Sequence, residues 1–230
     1  MVTYLKEGMK FCMWHPDARP VLALVDPELT LGLPPSLTAW TGVDAMVHAI
    51  EGYCVPGFNP LCDGSAIESL SLISKSLYLA VEEPKNLVAR GGMHVGSYLG
   101  GVAFLKGLGL VHAISHMVGA EFNTQHGLTN AIILPVVLRY NLSGMDEKVK
   151  RMSEAMQFED HSIEAFITNI EKMLDRLNIP KSLSEIGVPE DCVERIAKKA
   201  MKDQAFATNP KIATLEEVKE MTLASIKKAR

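Results

Sequence analysis

Residues 41–51 read TGVDAMVHAIE and residues 107–127 read GLGLVHAISHMVGAEFNTQHG. Read as helices, the first segment stands Asp44 and His48 one turn apart on one face, and the second does the same for His112 and His116. His126 follows a turn and is free to come back toward them. One carboxylate and three imidazoles suffice to hold a divalent transition metal with a position left open for substrate. Asp44 is the residue hardest to explain by packing, because an unpaired carboxylate in an apolar helix is strongly destabilising. A lone histidine on such a helix is more often a hydrogen-bonded core residue. The case therefore rests on clustering, and on the glycines at 107, 109, 119 and 127, which permit close backbone approach. On spacing alone, metal binding and packing both stand open.

The bulk of the chain sets the frame for that site. Its 230 residues are enough for one large domain or two small ones. A net charge of −4, with basic residues dispersed mainly over the last eighty positions, gives no basic footprint for nucleic acid. No run of eighteen apolar residues reads as a membrane span, and the N-terminus lacks a signal-peptide pattern. Cys12, Cys54, Cys62 and Cys192 show no CxxC spacing and read as free thiols in a reducing cytoplasm. The twelve methionines read as core filler.

Working outward, residues 20–26, PVLALVD, form one β-prone apolar run, with only a short second strand near residues 10–14 to pair with it. After Pro34-Pro35 the pattern turns helical. Ser36 is the expected N-cap of a helix over 37–53, and Pro56, Gly57, Asn59 and Pro60 punctuate the loop that follows. Further helices are expected at 61–79, 84–104, 110–119 and 126–139. The 84–104 helix is rich in small residues that favour close packing. Amphipathic helices are expected over 146–156, 162–177, 189–201 and 215–228, with solvated lysine-rich faces. The expected fold is an all-α helical bundle preceded by a short β remnant.

These segments closely resemble the iron-containing (group III) alcohol dehydrogenase family. TGVDAMVHAIEGY is similar to its first metal-binding helix and GLGLVHAISHMVGAEFNTQHG to its second signature. VDPELTLGLPP resembles the lead-in to its helical domain, and Asn209-Pro210 also fits. The resemblance, covering residue 20 to the C-terminus, implies the dehydroquinate synthase-like helical domain. It also implies Asp44, His48, His112 and His126 as metal ligands, with His116 unligated and serving substrate or proton transfer. Iron(II) is the expected metal, with zinc(II) as the alternative, and NAD(P) the hydride acceptor in the full-length family context. The family's N-terminal domain carries GGGS-type and GTGSE-type stretches, and neither occurs in this chain. Residues 1–26 are thus expected to be the last strands of a nucleotide-binding domain, and 27–230 the all-helical catalytic domain.

The implied activity is oxidation of a small alcohol to an aldehyde or ketone, or the reverse. The cation would acidify the substrate hydroxyl, the nicotinamide would take the hydride, and His116 would pass the proton. The chain alone is expected to be inactive, and its exposed former domain interface predicts a homo-oligomer. A cytoplasmic location, with no nucleic-acid or membrane partner, completes the expectation. A non-catalytic helical module that binds metal or a partner protein is the alternative from another class. A third reading, a zinc polyol dehydrogenase or dehydroquinate synthase-like enzyme, fits TGVDAMVHAIE less well. His94 on the small-residue helix, His15 in a loop, and Phe122 with Asn123 before His126 are weaker site candidates.

Overall fold

The computed structural model describes residues 2–4, 6–11, 15, 17 and 20–230. Two short strands, β1 (Val2–Tyr4) and β2 (Met9–Phe11), pair antiparallel with Thr3 opposite Lys10. Cys12, Trp14 and Pro16, with the far end of the strand expected near 10–14, lie outside the described residues. The strand expected at 20–26 does not form. Those residues run without regular structure, and Val21, Leu22 and Leu24 are exposed. No neighbouring strand among the described residues offers them hydrogen bonds, and a strand cannot satisfy its own edges.

Ten α-helices follow among the described residues: α1 (Pro35–Cys54), α2 (Pro60–Glu82), α3 (Leu87–Ala103), α4 (Leu110–Phe122), α5 (His126–Asn141), α6 (Asp146–Ala155), α7 (Ile163–Arg176), α8 (Val193–Ala200), α9 (Gln204–Ala207) and α10 (Leu215–Lys227). The bundle is the expected all-α fold, with differences at the helix ends. α1 begins at Pro35 with Pro34 in the cap position, not at Ser36. Proline at the first helical position has its φ preset for the helix and lacks one of the N–H groups that a first turn leaves unpaired. α3 starts at Leu87 and not at 84, because the Asn86 side chain accepts from Ala89 N there. The four-residue α9 was not legible as a helix.

α1 is the central rod. It packs against α2 and α3 on one side and α5 on another, and buries Val43, Met46, Val47 and Ile50. The closeness of α2 and α3 follows from the small residues of α3: a Cβ at Gly96 would lie 2.8 Å from Ile73 Cγ1. On the other side of α1, α5 enters with its first turn almost touching α1. A Cβ at Gly127 would lie 2.3 Å from the carbonyl oxygen of Trp40 and 3.1 Å from Asp44 Cβ. That contact brings the start of α5 to the middle of α1. α4 packs on α5, α8, α9 and β2, and α10 closes the bundle against α5 and α8. Among the described residues no single helix is long and apolar enough to cross a membrane.

Gly127→Ala is expected to push α5 off α1, since the obstacle is backbone and cannot rotate away. A loss of roughly 1–3 kcal/mol follows from overpacking of this kind, read as a lower midpoint of chemical denaturation. An unchanged midpoint would mean that the helices part here without cost.

Candidate metal centre

Four side chains from three helices converge where α1, α4 and α5 meet. Asp44 and His48 come from the middle of α1, His112 from the first turn of α4, and His126 is the first residue of α5. Asp44 Oδ1 lies 3.9 Å from His48 Nε2 and 3.7 Å from both His112 Nε2 and His126 Nε2. One ligand-type atom from each residue lies within 4.8 Å of all the others. A carboxylate oxygen with three imidazole nitrogens and no thiolate is donor chemistry suited to a divalent transition metal. The set expected from the sequence is therefore brought together in space.

The first turn of α4 is held from outside its own sequence. Gly109, its cap residue, has no side chain to accept the free N–H groups of that turn. Val111 N donates to Glu51 Oε1 at 2.8 Å, and Leu110 N donates to Asn209 Oδ1 at 3.0 Å. The other oxygen of Glu51 accepts from His112 Nδ1 at 2.7 Å. Glu51 is buried, two turns after Asp44 on α1. Its carboxylate places the His112 proton on Nδ1, so Nε2 is the nitrogen turned toward Asp44.

Charge in this pocket is decided by competition between burial and pairing. Burial disfavours the Asp44 carboxylate, but its pairing with the His112 imidazolium and the nearby imidazoles of His48 and His126 hold its pKa well below the usual range. Burial also opposes the His112 imidazolium, yet Asp44 and Glu51 outweigh it and push the pKa up to about 9. For His48 and His126 burial wins over the attraction of Asp44, and their pKa values fall to about 4 and about 3. Two imidazoles are thus neutral near pH 7 and each keeps a lone pair.

A cavity of about 530 Å³ adjoins the cluster, lined by His48, Phe104, His112, His116, His126 and Asp203 among others. His116 stands on its wall, stacked on His126 at 5.4 Å between ring centroids. Its Nδ1 is 2.9 Å from Asp203 Oδ2, while Asp203 Oδ1 accepts from Ala205 N at 2.8 Å and so caps α9. His116 belongs to the pocket, outside the group of four.

The weaker candidates separate from the site. His94 bonds to Thr30 Oγ1 at 3.2 Å in a different cavity beside Arg90. His15 is exposed and contacts Asp17. Asn123 ends α4 in the left-handed conformation, a turn role, and Phe122 packs against the core. Cys54, Cys62 and Cys192 are buried free thiols, and burial raises Cys54 to about 12. Sequence reasoning missed Glu51, Asn130 and Asp203, and took Asn209 only as part of the Asn209-Pro210 resemblance, without its bond to Leu110 N. Glu51 and Asn130 had a signal, since they sit seven and four residues after Asp44 and His126 on the same helical faces. Asp203 had none.

The profile of the Fe-containing alcohol dehydrogenase family, C-terminal part, matches residues 38–226. The chain belongs to this family. It is 36 % identical over 209 residues to the NAD-dependent methanol dehydrogenase of Bacillus methanolicus, covering 88 % of this chain and 55 % of that protein. Against the lactaldehyde reductase of Escherichia coli K12 it is 36 % identical over 228 residues, covering 96 % of this chain and 59 % of that protein. The crystal structure of a 1,3-propanediol oxidoreductase superposes with a TM-score of 0.84 at 35 % identity, covering 87 % of this chain and 55 % of that one. This family member thus spans 55–59 % of the length of these relatives.

The pocket of this iron-containing alcohol dehydrogenase family member makes its stability pH-dependent in both directions. Below the ordinary histidine value of 6.5 the unfolded chain takes up protons that folded His48 and His126 refuse, so stability falls toward pH 4. The contribution of His112 is complete below 6.5 and is lost as the pH rises through about 9. The thermal midpoint of the metal-free chain is expected to peak near pH 6.5, and His112→Gln to remove the decline on the alkaline side. A midpoint flat from pH 4 to 9 would contradict this account.

Proposed function

We propose that this chain is the metal-holding, catalytic half of an NAD(P)-dependent alcohol dehydrogenase. In this reading Asp44, His48, His112 and His126 hold a divalent transition metal, iron(II) first and zinc(II) as the alternative. Supporting it is the convergence of one carboxylate oxygen and three Nε2 atoms beside a cavity large enough for a small alcohol or aldehyde. When bound, the metal supplies Lewis acidity that lowers the pKa of an alcohol hydroxyl, and NAD(P) supplies the hydride acceptor.

The residues of the chain do the rest. Asp44 contributes the negative charge that a cation requires in this half-dry pocket. Glu51, through His112 Nδ1, keeps the His112 Nε2 lone pair facing inward. Phe104, Leu105 and Leu108 line the cavity and offer an apolar wall to the carbon end of the substrate. His116 receives the hydroxyl proton at Nε2, because its Nδ1 is held by Asp203, whose carboxylate stabilises the resulting imidazolium.

The reading places residues 27–230 in the catalytic domain and assigns residues 1–26 to the end of a nucleotide-binding domain. The 230-residue chain by itself is therefore expected to bind metal without oxidising alcohols. Its exposed apolar segment at Val21, Leu22 and Leu24 supports self-association into a homo-oligomer.

Elemental analysis after anaerobic reconstitution is expected to find about one iron or zinc per chain. Asp44→Ala and His126→Ala are expected to lose it, and stoichiometric metal in either variant would overturn the ligand assignment. His116→Ala is expected to keep its metal while slowing turnover in a protein that includes a nucleotide domain. Metal loss in that variant would make His116 a ligand.

A further inference from the structure

One amide stands inside the ligand set and is unaccounted for by the roles above. Asn130 is fully buried on α5, one turn after His126. Its Nδ2 donates to Asp44 Oδ1 at 2.6 Å and lies 3.2 Å from both His112 Nε2 and His126 Nε2. Its two hydrogens thus serve Asp44 Oδ1 and the neutral His126 Nε2, two of the four proposed ligands, with His112 Nε2 beside them. The amide cannot be turned the other way, because that would set its carbonyl oxygen 2.6 Å from a carboxylate oxygen with no hydrogen between them.

The orientation has a cost that packing does not explain. Asn130 Oδ1 is buried with no hydrogen-bond partner, and a buried unsatisfied carbonyl is unfavourable. Leucine would fill nearly the same space without that penalty. What the asparagine supplies, and leucine cannot, is the donor between the ligands.

We propose that Asn130 is a positioning residue of the metal centre. Its Nδ2 fixes the rotamer of the Asp44 carboxylate and draws the lone pair of neutral His126 toward the same point, so these two ligands converge in the folded chain before a cation binds. The bond to Asp44 is the one that persists with a cation present, since a carboxylate oxygen has acceptor capacity to spare and an imidazole nitrogen has a single lone pair. The inference rests on the metal-holding reading above and deepens it.

The test is a titration of the 230-residue chain with Co2+, followed by its visible d–d absorption, with Zn2+ competition to obtain affinities. The variant is Asn130→Leu, with Asn130→Ala used should the leucine variant fail to fold. Metal affinity is expected to weaken roughly 10- to 100-fold, the range typical of losing an outer partner of a ligand, with a changed Co2+ spectrum. The metal-free thermal midpoint of Asn130→Leu is expected to fall modestly, because the Asp44 carboxylate loses its 2.6 Å donor while the unpartnered Asn130 Oδ1 is removed. An affinity and a spectrum equal to those of the unsubstituted chain would overturn the role of Asn130 and leave the metal reading standing. Failure of the unsubstituted chain to bind Co2+ or Zn2+ would overturn both.

Discussion

A carboxylate placed in the apolar middle of a helical bundle must find positive charge or donors, and Asp44 is that carboxylate. Left alone in such surroundings it would cost several kcal/mol. It is answered by an amide at 2.6 Å and by imidazole nitrogens at 3.7–3.9 Å, brought from α1 itself, α4 and α5. The helix packing follows from that demand. α5 approaches α1 so closely at Gly127 that no side chain fits, and this is what lets His126 and Asn130 reach Asp44.

A second ring of polar groups keeps the first in place. Glu51 spans from α1 to the start of α4 and occupies both its oxygens there, one on Val111 N and one on His112 Nδ1. Asn209 joins the same helix end to α5 by accepting from Leu110 N and exchanging amide bonds with Asn141. Asp203 does two jobs with its two oxygens, capping α9 and orienting His116. Each of these groups is buried or nearly so, and each is satisfied. In a low-dielectric interior such networks stiffen geometry, which is what a site assembled from separate helices needs.

Much of this was legible in the residues before any coordinates. The helical period alone puts Asp44 with His48 and His112 with His116, and the four-residue offset that pairs Asp44 and His48 also points to Asn130 after His126. The proline and glycine punctuation marked most of the helix boundaries. The errors have physical causes. PVLALVD has the composition of a strand, but a strand exists only with a partner, and residues 20–26 have none among the described residues. Ser36 is a good cap by type, yet Pro35 had already set the first helical turn.

Local sequence therefore determined the helices, their apolar faces, and the four ligand-type side chains displayed on them, because a helix repeats every 3.6 residues whatever surrounds it. Tertiary structure alone decided that His112 turns Nδ1 to Glu51 and Nε2 to Asp44, which imidazoles are neutral, and that His116 answers to Asp203. Those outcomes depend on contacts between residues 61 and 87 positions apart and on how completely water is excluded. Neither the pairing nor the dryness of a pocket is encoded in any short stretch of chain.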